Sequence, residues 1–103
     1  MADEYISREN GDRLGIVPNT TTQTLTNANT EYSVAITDHT KRLILKMRTL
    51  DNDFQYGWAT GQLNMTVPAG FVRDISDIHL VGRTLFLKCA DVAGKIIEIE
   101  YFT

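Results

Sequence analysis

From Tyr32 to Tyr101 large apolar side chains recur at every second residue, in short runs that stop at turn-forming residues. Tyr32, Val34 and Ile36 alternate with Ser33, Ala35 and Thr37, the pattern of a strand with one buried face. Leu43, Leu45 and Met47 alternate with Arg42, Lys46 and Arg48, and Ile44 is the one breach. Leu43, Met47 and Leu50 also fit helical spacing, but the run is short and strand-like segments flank it, so a strand is expected. Phe54, Tyr56 and Trp58 form an aromatic strand that Thr60-Gly61 breaks. Leu63, Met65 and Val67 start another, which ends at Pro68-Ala69-Gly70. Ile78 and Leu80, then Leu85, Leu87 and Cys89, then Ile97, Ile99 and Tyr101 continue the alternation. Gly82-Arg83 and Ala93-Gly94-Lys95 mark tight turns.

The N-terminal part is different. Residues 1–19 are polar, with Tyr5, Ile6, Leu14, Ile16 and Val17 as scattered anchors, Asn10-Gly11-Asp12 as a turn signal and Pro18 favouring extended geometry. Thr20 to Thr30 is a tract of Thr, Asn and Gln whose one large apolar residue is Leu25, read as an edge strand or extended segment. About seven or eight strands at roughly 8–12-residue spacing, without an amphipathic helix, predict an all-β fold. The expected architecture is a two-sheet antiparallel sandwich over residues 20–103, wound as a jelly roll, with an N-terminal arm over 1–19. Pro68 to Asp77 is expected to be a loop crossing between sheets.

At 103 residues the chain has room for one domain. Hydrophobic residues are 43% and charged residues 22%, ordinary globular usage that argues against global disorder. No apolar run approaches the ~18 residues of a transmembrane helix, and MADEYISREN lacks the features of a signal or transit peptide. A net charge of −3 disfavours a nucleic-acid partner. Neither a membrane partner nor a cofactor is expected.

Little in the chain points to catalysis. His39 and His79 are distant in sequence, and a metal site would need the fold to join them with carboxylates, as in a cupin-like enzyme. Alternation points His79 away from the face of Ile78 and Leu80. Cys89 shares a strand face with Leu85 and Leu87 and reads as a small buried hydrophobe rather than an activated thiolate. Ser7, Ser33 and Ser76 lack nucleophile-elbow context. The pairs Asp51/Asp53 and Asp74/Asp77 flank turns, and Glu98/Glu100 alternate with Ile97 and Ile99, so solvated positions account for all three. A non-enzyme is expected.

Three features could serve binding. Tyr56 and Trp58 could form a stacking platform for a carbohydrate or receptor, although the alternation favours core packing for the aromatic strand. Lys41, Arg42, Lys46 and Arg48 form the chain's basic cluster, either a solvated strand face that discourages edge pairing or a patch docking an acidic neighbour. Ile16 and Val17, leading into the Thr-rich strand, suggest an extension laid on another subunit.

The stretch from Asn29 to Tyr101 also resembles short single-domain virion proteins of tailed bacteriophages. The resemblance is carried by Asn29-Thr30-Glu31-Tyr32, by Thr40-Lys41-Arg42-Leu43-Ile44-Leu45-Lys46 and by Phe54-Gln55-Tyr56-Gly57-Trp58. Val67-Pro68-Ala69-Gly70, Thr84-Leu85-Phe86-Leu87-Lys88 and Gly94-Lys95-Ile96-Ile97-Glu98-Ile99-Glu100-Tyr101 complete it. It implies a jelly-roll head decoration (cement) protein, or else a minor head–tail component. The partners it implies are the major capsid protein and further copies of the chain as a dimer or trimer, in the virion.

Overall fold

Alternation becomes pairing in eight strands: β1 (Pro18–Leu25), β2 (Tyr32–Ala35), β3 (Arg42–Met47), β4 (Phe54–Gly57), β5 (Met65–Val67), β6 (Arg73–Ile75), β7 (Thr84–Lys88) and β8 (Lys95–Phe102). The structure, a computed structural model, describes residues 16–103. Antiparallel partnerships nest outward from the middle of the chain: β4 with β5, β3 with β6, β2 with β7 and β1 with β8. Pairing of β3 with β8 and of β4 with β7 joins them into two four-stranded sheets, ordered β1-β8-β3-β6 and β2-β7-β4-β5. This is the expected antiparallel two-sheet sandwich.

The core lies between the sheets. Leu25, Leu43, Leu45, Met47, Ile97 and Ile99 come from one sheet; Phe54, Tyr56, Val67, Leu85, Leu87 and Cys89 come from the other and its margin. Burying each large aliphatic side chain contributes about 1.5–3 kcal/mol. On β3 the inward Leu43, Leu45 and Met47 are buried, whereas Arg42, Ile44 and Lys46 face outward. A helix there would have spread these apolar groups around its circumference, so the strand wins by placing all three in one layer.

The structure shifts several expected boundaries. β1 starts at Pro18, inside the segment assigned to the arm, because Val17 and Thr103 already exchange backbone hydrogen bonds of 2.7 and 3.0 Å. Residues 1–15, including the Asn10-Gly11-Asp12 turn, lie outside the described residues. Trp58 and Leu63 belong to a loop, and β5 starts only at Met65. The expected crossing loop from Pro68 to Asp77 contains β6, which is recruited by backbone pairing to β3 rather than by apolar side chains of its own. Asp74 is therefore a strand residue, not a turn residue. Ile78 and Leu80 form no strand; they half-bury against the core from a loop whose amides bond to Lys41 and Thr40 carbonyls at 3.3 and 3.0 Å.

Connections gather at two ends of the sandwich. Residues 26–31, 48–53, 68–72 and 89–94 lie at one end, where the Asn29 amide reaches the Cys89 carbonyl at 2.8 Å. Residues 36–41, 58–64 and 76–83 connect strands at the other end, which also carries the Val17–Thr103 pairing. Among the described residues no helix is long and apolar enough to cross a membrane.

Candidate functional site

The outer face of the β1-β8-β3-β6 sheet collects most of the charge that the sequence singled out. Register puts Arg42 across from Phe102, Ile44 between Glu100 and Asp74, and Lys46 across from Glu98. Arg42 grips Asp74 with two hydrogen bonds, from Nε to Oδ1 at 3.1 Å and from Nη2 to Oδ2 at 2.6 Å, and its guanidinium lies 5.7 Å from the Phe102 ring centroid. Glu98 takes Arg48 at 2.8 Å and Lys46 at 3.4 Å. The Arg42 bonds hold Asp74 below the usual carboxylate range, and Arg48, then Lys46, do the same to Glu98. Asp74 in turn raises Arg42. The basic cluster is thus threaded with carboxylates in a mixed-sign sheet face, with Lys41 exposed at its edge.

An open groove of about 650 Å³ runs along this face, lined by Thr20, Thr22, Ile44, Lys46, Glu98 and Glu100 among others. Ile44, the breach in the alternation, is its apolar floor and is half-buried. Hydroxyls on one side and paired ions on the other make it a polar, solvated surface.

Apolar side chains instead stand out on the loops. Phe71 is 64% exposed and Val72 48%, on the tip that follows the Pro68–Phe71 turn closed by the Phe71 amide on the Pro68 carbonyl at 3.1 Å. Gly70, with φ +83°, supplies the left-handed position the turn needs. Leu50 is exposed at the same end, and Val81, 70% exposed, at the other. Phe71 and Val72 are not among the residues that the alternation or the charge pattern singles out. Their signal was two adjacent large apolar residues placed just after a turn motif and out of phase with any strand. Ile16 and Val17 lie beside the start of β1 with 43% and 50% of their surface exposed.

The remaining candidates resolve into structural roles. Phe54 and Tyr56 are buried, and the Tyr56 hydroxyl accepts the Arg73 Nε–H at 2.9 Å; Trp58 is half-buried against the core. Tyr56 therefore offers no ring face to a ligand. Cys89 is buried, its thiol 3.5 Å from the Asp53 carbonyl. His39 and His79 do meet, Nδ1 to Nε2 at 3.1 Å with rings nearly perpendicular. His79 is exposed between the half-buried Ile78 and Leu80, turned away from their face as the alternation implied, although the segment is a loop and not a strand. No group of three or more His, Cys, Asp or Glu able to hold a metal forms among the described residues. Glu31, read only as part of a strand lead-in, is a clamp: it accepts the Thr60 hydroxyl at 2.6 Å and the Gly61 amide at 2.8 Å, which lower its pKa. Asp51 is likewise lowered, by Lys95 at 2.8 Å and then by Thr49.

Comparison with protein-family models, with curated proteins and with solved structures finds no match to this chain.

Proposed function

We propose that this chain is a non-enzymatic structural protein of a phage virion, a head decoration protein that binds the major capsid protein through its loop ends. The observation that carries this reading is the division of labour on the surface. Asp51, Asp74, Glu98 and Glu31 are tied into ion pairs or loop clamps, while Phe71, Val72, Leu50 and Val81 present apolar surface from the loops. Rigid sheets that carry apolar loop tips suit adhesion, since contact energy comes from desolvating such groups against a partner. The nested strand order supports the jelly-roll winding as well, because folding one long antiparallel ribbon across two layers generates that order.

The test is a particle prepared without this chain. It should lose heat resistance, and adding purified protein should restore it, because a ligand of the assembled shell stabilises it by mass action. Phe71→Ser should fold normally and fail to restore. Particles equally heat-resistant with and without the chain would reject the reading.

A further inference from the structure

The exposed edge of β1 carries a second kind of contact. Val17 and Thr103 exchange both backbone hydrogen bonds, and the register runs without a break from Pro18↔Phe102 to Leu25↔Lys95. In an antiparallel ladder such pairs alternate, so Asn19, Thr21 and Gln23 aim their backbone groups at β8. Thr20, Thr22 and Thr24 therefore aim theirs away from the sheet, along its free edge. The Thr24 carbonyl takes the Gln23 side-chain amide at 3.0 Å and keeps a second lone pair.

Natural sandwiches guard such edges with charge, brevity, proline or a bulge. β5 and β6 have three residues each, with Arg73 and Asp74 on β6, and β2 has four. β1 is eight residues long, PNTTTQTL, without a charge or a bulge, and its proline stands at the first position. It is the one edge among the described strands left open to pairing.

We infer that β1 pairs with β1 of a second copy, antiparallel about a two-fold axis at Thr22, merging the two β1-β8-β3-β6 sheets. Parity restricts the axis to a residue position, and Thr22 is the position that sets Thr20, Thr22 and Thr24 against one another. Outward-aimed residues must face one another, which puts Thr22 opposite Thr22 of the second copy and Thr20 opposite its Thr24. This gives about six backbone hydrogen bonds. The side chains agree, because Thr20, Thr22 and Thr24 are exposed on the same face and become cross-strand threonine pairs, a favourable combination. Charge does not oppose it: Glu98 on β8 is already paired to Lys46 and Arg48, and Glu100, one cross-strand pair along from Arg42, feels that cation's charge. Strand pairing alone covers less surface than a permanent dimer needs, so association is reversible. The inference rests on β1 alone and stands or falls separately from the capsid reading.

Sedimentation equilibrium of the full chain tests it. The wild type should move from monomer to dimer mass with rising concentration. Thr22→Lys sets two like charges face to face on the axis and should stay monomeric with an unchanged circular dichroism spectrum; Thr66→Lys on β5 should leave the dimer intact. Under mild oxidation Thr22→Cys should cross-link to itself, since facing Cα atoms in such a pair lie about 5.5 Å apart. Thr20→Cys should not, because its copies would lie about 13 Å apart. A wild type that is monomeric at its solubility limit overturns the inference. So does a dimer that Thr22→Lys leaves untouched, or self-cross-linking of Thr20→Cys as fast as that of Thr22→Cys.

Discussion

Gly57 lies directly beneath the backbone of Gln62: a Cβ at Gly57 would meet the Gln62 carbonyl well inside the 3.0 Å that real Cβ atoms keep. The β4–β5 loop thus folds back over the outward side of its own strand, and the clamp by Glu31 holds it there. Gly57→Ala should cost about 1–3 kcal/mol, because both colliding groups are backbone-borne and the loop must lift. A denaturant midpoint equal to wild type would show that the loop does not rest on this strand.

The clamp itself can be read by hydrogen exchange. Glu31→Ala removes the acceptor of the Gly61 amide, so that amide should exchange faster while amides of β3 and β8 keep their protection. Uniform loss of protection across both sheets would contradict a local role for Glu31.

Acid should weaken the fold. Glu31, Asp51, Asp74 and Glu98 all have folded-state values below their ordinary ones, through Thr60 and Gly61, Lys95, Arg42, and Arg48 respectively. A depressed carboxylate contributes stability that is present above its unfolded pKa, near 4, and is lost as pH falls through the folded value. Thermal midpoints should therefore be level from neutrality down to about pH 5 and fall below about pH 4. The fall should be shallower at high salt because these pairs are exposed. A midpoint that rises on acidification would contradict the ion-pair assignments.

Core and loop-tip residues should separate stability from binding. Leu45→Ala opens a cavity at a fully buried position between the sheets and should cost about 2–5 kcal/mol. Phe71→Ser, at a 64% exposed position, should change stability by no more than about 0.5 kcal/mol, and under the proposed capsid role it should abolish binding to particles in a co-sedimentation assay. Equal loss of stability in the two variants would mean that Phe71 packs in solution.

The sandwich was legible because its strands are amphipathic. Leu85, Leu87 and Cys89 announce their burial by period alone, as do Ile97 and Ile99. β6 was illegible for the opposite reason: Arg73-Asp74-Ile75 carries no pattern, and its place comes from hydrogen bonds that any side chain permits. The basic cluster was visible as a set of cations, but its neutralisation was not. Asp74 and Glu98 are 32 and 50 residues from the arginines they bind. The exposure of Phe71 was only half visible: its place after a turn motif, out of phase with any strand, marked it, but a large apolar residue is ordinarily inside and the geometry of the loop decides that it stands outside.

The alternation of side chains along one strand is a local property, so the chain by itself determined that this protein is layered β-structure with a buried apolar interior. Which strands became neighbours, which carboxylate met which cation, how His39 came to touch His79 and which edge was left open are relations between distant segments. They were decided only when the nested pairing closed the sandwich, because register fixes every cross-strand contact at once and no single segment encodes it.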